Sequence, residues 1–435
     1  MRISLRLAVA ALGFGMALST AACAPGQGSS EQSEGDGTLD RATFKGKTLD
    51  YVYFTDGPDE EATRALVAQF EKETGATVNV QLVPFDSLEQ TLQARVNGGD
   101  APEVARVADW RPFADVLVDF KSYFGENYDQ QFIAGMAQAA QDSEGDMPAV
   151  PSDLTMNGPV VNVDAFRTAG VELPPADDPW TWEEMTAAAT KVQQANDMQF
   201  ALAIDKSGHR VSTVLSQFGT TMFDDQGDVA LDPGRAQQAI EMLNGLMQRG
   251  LMSKDLWLEA GARYEDANEL FLAGQVPVYL SGNWQVGLLA EDAPFEWAAA
   301  PNPCAERCGG FPGGKYMVAF SESDETELGV YFVDWMNRAE NQQELDQKAF
   351  WLPTRTSLVE EGISYPERGQ DMDVFLSDLA KTPDDTYSTF THPNFDPAAD
   401  ALVAEMDKAV AGQQDVATTI TSVRQELEAL SSGDG

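Results

Sequence analysis

Two tryptophans stand beside hydrogen-bonding side chains just past short apolar runs, in Asp109-Trp110 and in Ser281-Gly282-Asn283-Trp284, and Asp56 closes a third such run. An indole lays an apolar face on a partner, while a neighbouring carboxylate or amide accepts or donates hydrogen bonds. These pairs suit reversible capture of a polar molecule that also has an apolar face. Asp153 and Asn157, after Pro151, offer a further carboxylate and amide.

Bond-making chemistry has weaker support. The chain has no Gly-x-Ser-x-Gly elbow, His-Glu-x-x-His run or Walker phosphate loop. Among 70 acidic residues, pairs at the spacing a glycosidase needs arise by number alone. A metal site needs more ligands than Cys304 and Cys308, and the two histidines, His209 and His392, are far apart in sequence. Neither a metal nor an organic cofactor is expected. In an exported protein, Cys304 and Cys308 form a local disulfide clip whose small loop contributes modestly.

The elements that carry these residues alternate. Leu49 to Phe54 reads as a buried strand, and Ala62, Leu66 and Phe70 recur on a helix that Asp59 can cap and Gly75 ends. Val78, Val80 and Leu82 alternate as a strand, Leu88, Leu92 and Val96 repeat as a helix, and Val104 to Ala108 is another strand. This β-α-β-α-β order favours a parallel sheet with ligand groups beyond its strand ends, where Asp56 and Asp109 fall. Thr181-Trp182-Glu183-Glu184 has capping-box spacing. Helical stripes end at Gly250 and Gly274, Val276 to Leu280 is a strand, and further helices carry Trp335 and Leu427.

A chain of 435 residues exceeds one ordinary core, and its formal charge of −42 argues against nucleic acid as a partner. Arg2 and Arg6, the apolar run Leu5 to Leu18 and the small residues Ser19 to Ala22 read as an export signal over residues 1–22, too short to span a membrane. Cys23 after Ala21-Ala22 resembles the lipidated cysteine of bacterial lipoproteins, although Thr20 stands where that pattern usually has Leu. Residues 24–37 have the composition of a flexible tether.

The run from Phe271 through Gln275-Val-Pro-Val-Tyr-Leu-Ser-Gly-Asn-Trp284 resembles the bacterial extracellular solute-binding protein family 1, the sugar-type, maltose-binding-protein-like group. Phe70 to Gly75, Val160-Val-Asn162 with Ala165-Phe166, Pro174-Pro175 with Thr181-Trp182, Gly313-Gly314 with Val318 to Phe320, and Leu352 to Arg355 are similar to further family segments, in order. The resemblance runs from about Leu49 to about Leu430. It departs at Val161, at Lys315-Tyr316 and at the cysteine pair.

That resemblance implies an α/β, two-lobe fold of the periplasmic-binding-protein type II kind, joined by about three crossing strands that form a hinge, with a ligand cleft between the lobes. Lobe 1 is expected over 44–151 plus about 313–372, and lobe 2 over 152–312 plus about 373–430. The resemblance further implies a monomer at the outer face of the cytoplasmic membrane, held there only by lipid on Cys23. There it captures a mono- to oligosaccharide for the permease subunits of an ABC transporter. Its expected ligand-binding residues are Asp56, Asp109, Trp110, Asp153, Asn157, His209, Trp284, Gly313, Gly314, Lys315, Trp351 and Phe395. Lys315 and Arg355 are alternatively placed to hold an acidic ligand. The competing readings are a carbohydrate-active enzyme and a polysaccharide-binding surface protein without a transporter.

Overall fold

The described residues of this computed structural model are 39–432, without Asp56 and residues 260–264. The export signal, Cys23 and residues 24–37 lie outside them. No helix among the described residues is long and apolar enough to cross a membrane.

Eight strands form the sheet: β1 (Thr48–Tyr53), β2 (Thr77–Leu82), β3 (Val104–Val107), β4 (Val150–Asn162), β5 (Leu202–Ile204), β6 (Val278–Gly282), β7 (Trp297–Ala299) and β8 (Pro312–Ala319). Their order is β2-β1-β3-β8-β4-β6-β5, with β7 also on β4. β1 runs parallel to β2 and β3, as the alternating order expects, and β5 runs parallel to β6. The sheet as a whole is mixed rather than parallel, because β8 enters antiparallel between β3 and β4, and β4 is antiparallel to β6 and β7.

The connecting helix Asp59–Thr74 buries Ala62, Leu66 and Phe70, and Phe85–Asn97 buries Leu88 and Leu92 on the sheet. Each large apolar side chain taken fully out of water contributes about 1.5–3 kcal/mol. Asp59 is not the helix cap: it is the first helical residue, buried, and Pro58 precedes it. The capping box forms, with the Thr181 hydroxyl accepting from the Glu184 N–H and the Glu184 carboxylate accepting from the Thr181 N–H.

The described residues build two hydrophobic cores. One joins Leu49, Phe70, Leu92 and Val104 with Phe332 and Trp335. The other joins Phe166, Val192, Leu215 and Ile240 with Leu402, Val423 and Leu427. β4 connects them. All thirteen of its residues are buried; residues 150–156 pair with β8, whereas 157–161 pair with β6 and 160–162 with β7. One strand thus belongs to both halves, and it changes partners near Met156 and Asn157. A disulfide joins Cys304 and Cys308, and the Cys304 backbone bonds to Trp180 and Trp182 at the start of the helix Trp182–Ala195.

Candidate functional site

A cavity of about 710 Å³ opens where β4 changes partners. Crevices at such switch points collect loop ends from both sides of a sheet. Phe54, Thr55 and Gly57 reach it from the turn after β1, Asp109 and Arg111 from the turn after β3, Thr155 and Asn157 from β4, and Gly313 to Tyr316 from β8. The opposite wall is His209 and Arg210 at the start of the helix Gly208–Gln217, Trp284 and Gln285 after β6, and the segment Phe390 to Asp396.

The aromatic lining is denser than expected from sequence. Phe54 meets Phe85 edge-on at 4.8 Å between ring centroids. His209 meets Phe395 edge-on at 4.8 Å, and Phe390 lies 6.1 Å from Phe395. His392 stacks on Phe223 at 3.8 Å, and burial pushes its pKa below the usual value, so at neutral pH it presents an uncharged face.

Two buried ion pairs underlie the cavity. Arg106 donates to both carboxylate oxygens of Asp153, at 3.0 and 2.9 Å, and to the Phe54 carbonyl at 3.1 Å. Its guanidinium lies 4.2 Å from the centroid of Trp351 and 4.7 Å from that of Phe54. The second pair is Arg210 and Asp205 at 3.0 Å. Asp205 also accepts from Tyr279 at 2.5 Å and Ser281 at 2.6 Å, and Arg210 donates to Asn157 at 2.8 Å while covering Trp284 at 4.3 Å. Burial pushes the Asp205 pKa upward, opposed by the Arg210 charge and by the two hydroxyl donors.

Of the residues singled out from sequence, Asp109, Asn157, His209, Trp284, Gly313, Gly314, Lys315 and Phe395 line this cavity. Thr55 and Gly57, on either side of Asp56, line it too, while Asp56 lies outside the described residues. Three others are corrected. Trp110 is buried, its indole N–H donates to the Ala139 carbonyl, and Arg111 lies over its ring, so it is no open platform. Asp153 and Trp351 sit beneath the wall, engaged by Arg106. Arg355 is also away from the cavity: it is buried against Phe132 and donates to Asn337 and Gln131.

Trp284 itself is only 6% exposed, under Arg210. Asp109 is part-engaged by the backbone N–H and guanidinium of Arg111. Gly313 lies against β4, where a side-chain carbon would come within 2.4 Å of the Thr155 hydroxyl oxygen. Its lack of a side chain keeps that hydroxyl at the cavity.

Sequence reading missed Arg106, Asp205, Arg111 and, apart from Phe395, the run Phe390-Thr-His-Pro-Asn that leads into it. The last was findable, since aromatics clustered around a proline in a loop seldom serve a helix. Hydrogen bonds cross between the walls: Arg111 donates to the Thr391 carbonyl at 2.9 Å, Arg210 to the Asn157 amide oxygen at 2.8 Å, and the Asn157 amide to the His209 carbonyl at 3.2 Å.

Comparison with known proteins agrees with this architecture. The profile of the bacterial extracellular solute-binding protein family matches residues 65–370, and the chain belongs to that family. The maltotriose-binding protein of Pyrococcus abyssi is 24% identical over 260 residues, 57% of this chain and 53% of that one. The sn-glycerol-3-phosphate-binding periplasmic protein of Salmonella typhimurium is 23% identical over 346 residues, 72% of this chain and 75% of that one. Among solved structures, the GacH receptor of Streptomyces glaucescens, known unliganded and with acarbose, superposes with a TM-score of 0.75 at 19% identity, covering 87% of this chain and 97% of that one. These likenesses establish the two-lobe α/β fold. The family is one of extracellular binding proteins.

Proposed function

We propose that this protein captures a neutral mono- to oligosaccharide between its lobes and delivers it to the permease subunits of an ABC importer. The observation that carries the reading is the cavity at the β4 partner switch, whose two walls combine aromatic faces with amide, hydroxyl and carboxylate groups. Sugars need that combination, because each ring has apolar faces and a belt of hydroxyls. Trp284, Phe395 and His209 supply apolar surface; Asn157, Asp109, Lys315 and Asp56 supply hydrogen bonds. Lobe 1 is 44–151 plus about 313–372 and lobe 2 is 152–312 plus about 373–430. Closure of one on the other presents the loaded form to the permease through differential contacts. The chain works as a monomer tethered by lipid on Cys23, without catalysis.

A phosphate ester is disfavoured. Arg111 and Arg210, which line the cavity, already serve Asp109 and Asp205, and Glu89, Asp396 and Asp400 add negative charge to the wall. The test is a thermal-shift and calorimetric screen of neutral saccharides, polyols, sugar acids and glycerol 3-phosphate. Ligand at 100 times its dissociation constant stabilises by about 2.7 kcal/mol. Stabilisation by a neutral saccharide that is recovered uncleaved supports the reading. Stabilisation by glycerol 3-phosphate alone, or cleavage of the sugar, overturns it.

A further inference from the structure

A second, smaller cavity of about 200 Å³ adjoins the first, and the two share His209, Asp396 and Asp400 as lining. It lies in lobe 2, between the loop that begins the helix Gly208–Gln217 and the helix Phe395–Val410. Its position follows from close packing: a side-chain carbon on Gly208 would come within 2.4 Å of the Ala399 Cβ, so the two helices touch there and leave the pocket beside the contact. Lys206 and Asp407, also in its lining, are held by each other at 2.8 Å, and the Trp257 indole N–H donates to Asp407 at 2.9 Å. That part of the wall is prebuilt.

We propose that this pocket is an extension subsite for the main cavity: it takes one neutral, hydroxyl-bearing unit of a linear oligosaccharide whose other units lie between the lobes. The inference rests on the sugar reading above and adds to it a length requirement and a route out of the cleft past His209. Three features carry it.

The pocket's volume equals roughly seven water molecules at about 30 Å³ each, room for a single ring but not for a separate oligosaccharide. The shared residues make the two cavities neighbours, so on this proposal a chain held in the first extends past His209 into the second. Asp396 and Asp400, one helical turn apart, border both spaces, and the Asp396 carboxylate lies 4.0 Å from the His209 ring. Asp400 makes no hydrogen bond or ion pair among the described residues. Carboxylates accept the hydrogens of hydroxyls, and three of them around one lysine repel an anionic unit such as a uronic acid.

Calorimetric titration of the full chain with linear neutral glucans, from disaccharide to hexasaccharide and in α-1,4, β-1,4 and β-1,3 linkage, tests this. The wild type should show a step in affinity of about tenfold at the length that first reaches the pocket. Ala404→Trp fills the pocket from its exposed rim, and Val403→Trp narrows it from the same helix, neither residue lining the main cavity. Both should erase the step while leaving the shorter chains' affinity within about twofold. A wild-type affinity independent of length, or an equal loss for short and long chains in both variants, overturns the extension subsite and leaves the sugar reading intact. Absence of binding to every glucan, alongside binding of a non-sugar solute, overturns both.

Discussion

Two buried arginine–aspartate pairs, one between β3 and β4 and one just after β5, show how the same chemistry is put to different use. Arg106–Asp153 is bidentate, closed over by Trp351 and Phe54, and absent from the cavity wall. Arg210 pairs with Asp205 at 3.0 Å, lines the cavity, donates to Asn157 and covers Trp284. Asp205 in turn is held by Tyr279 and Ser281 as well as by Arg210. The first pair locks the root of β4 to β3; the second fixes the orientation of groups that line the cavity. Burial alone does not tell a structural ion pair from a functional one. What separates them is whether the cation's remaining surface faces protein or cavity.

The comparison breaks most sharply at Arg106. Arg106→Met strips a buried carboxylate of its guanidinium and should cost about 3–5 kcal/mol in urea unfolding, with sugar affinity of the folded fraction unchanged. Arg210→Met should cost less stability, because Tyr279 and Ser281 still satisfy Asp205, but should lower sugar affinity about a hundredfold, or roughly 2.7 kcal/mol, by calorimetry. Arg111→Ala removes the hydrogen bond to Thr391 across the cleft, an interaction of about 1–2 kcal/mol, so small-angle scattering of the ligand-free protein should show a more open mean shape.

The smallest effect sharpens the comparison from a carboxylate without a guanidinium. Asp378 is buried, accepts from the backbone and side chain of Asn302, and burial pushes its pKa up to about 6. Its unfolded value is near 3.9, so between about pH 4 and 6 the native state holds more protons than the unfolded chain. Stability therefore falls as pH rises through that window and levels off above it. Asp378→Asn should remove that slope, on the order of 1 kcal/mol, in melts run from pH 4 to pH 7.

The local half of this molecule was legible in its sequence. Apolar spacing found β1 to β3 and their helices, and residue types found the capping box at Thr181 and Glu184. Asn157, Trp284 and Gly313 to Lys315, singled out from residue type and resemblance, line one cavity in the fold. Trp110 and Trp351 were misread because a tryptophan near a strand end looks the same whether its face meets a ligand or an arginine of its own chain. Arg111 covers the first and Arg106 the second. Asp153 was misread for the related reason that its partner lies 47 residues away. The antiparallel entry of β8 is equally non-local, since Gly313 opposes Thr155 only once the sheet has formed. Periodicity reports which face of an element is buried, not what it is buried against.

The most direct test of the account is equilibrium binding of one saccharide, chosen by the screen, to Arg106→Met and Arg210→Met side by side under conditions where both are folded. The account predicts wild-type affinity for the first and about a hundredfold loss for the second. Equal losses in both, or a loss confined to Arg106→Met, would contradict it.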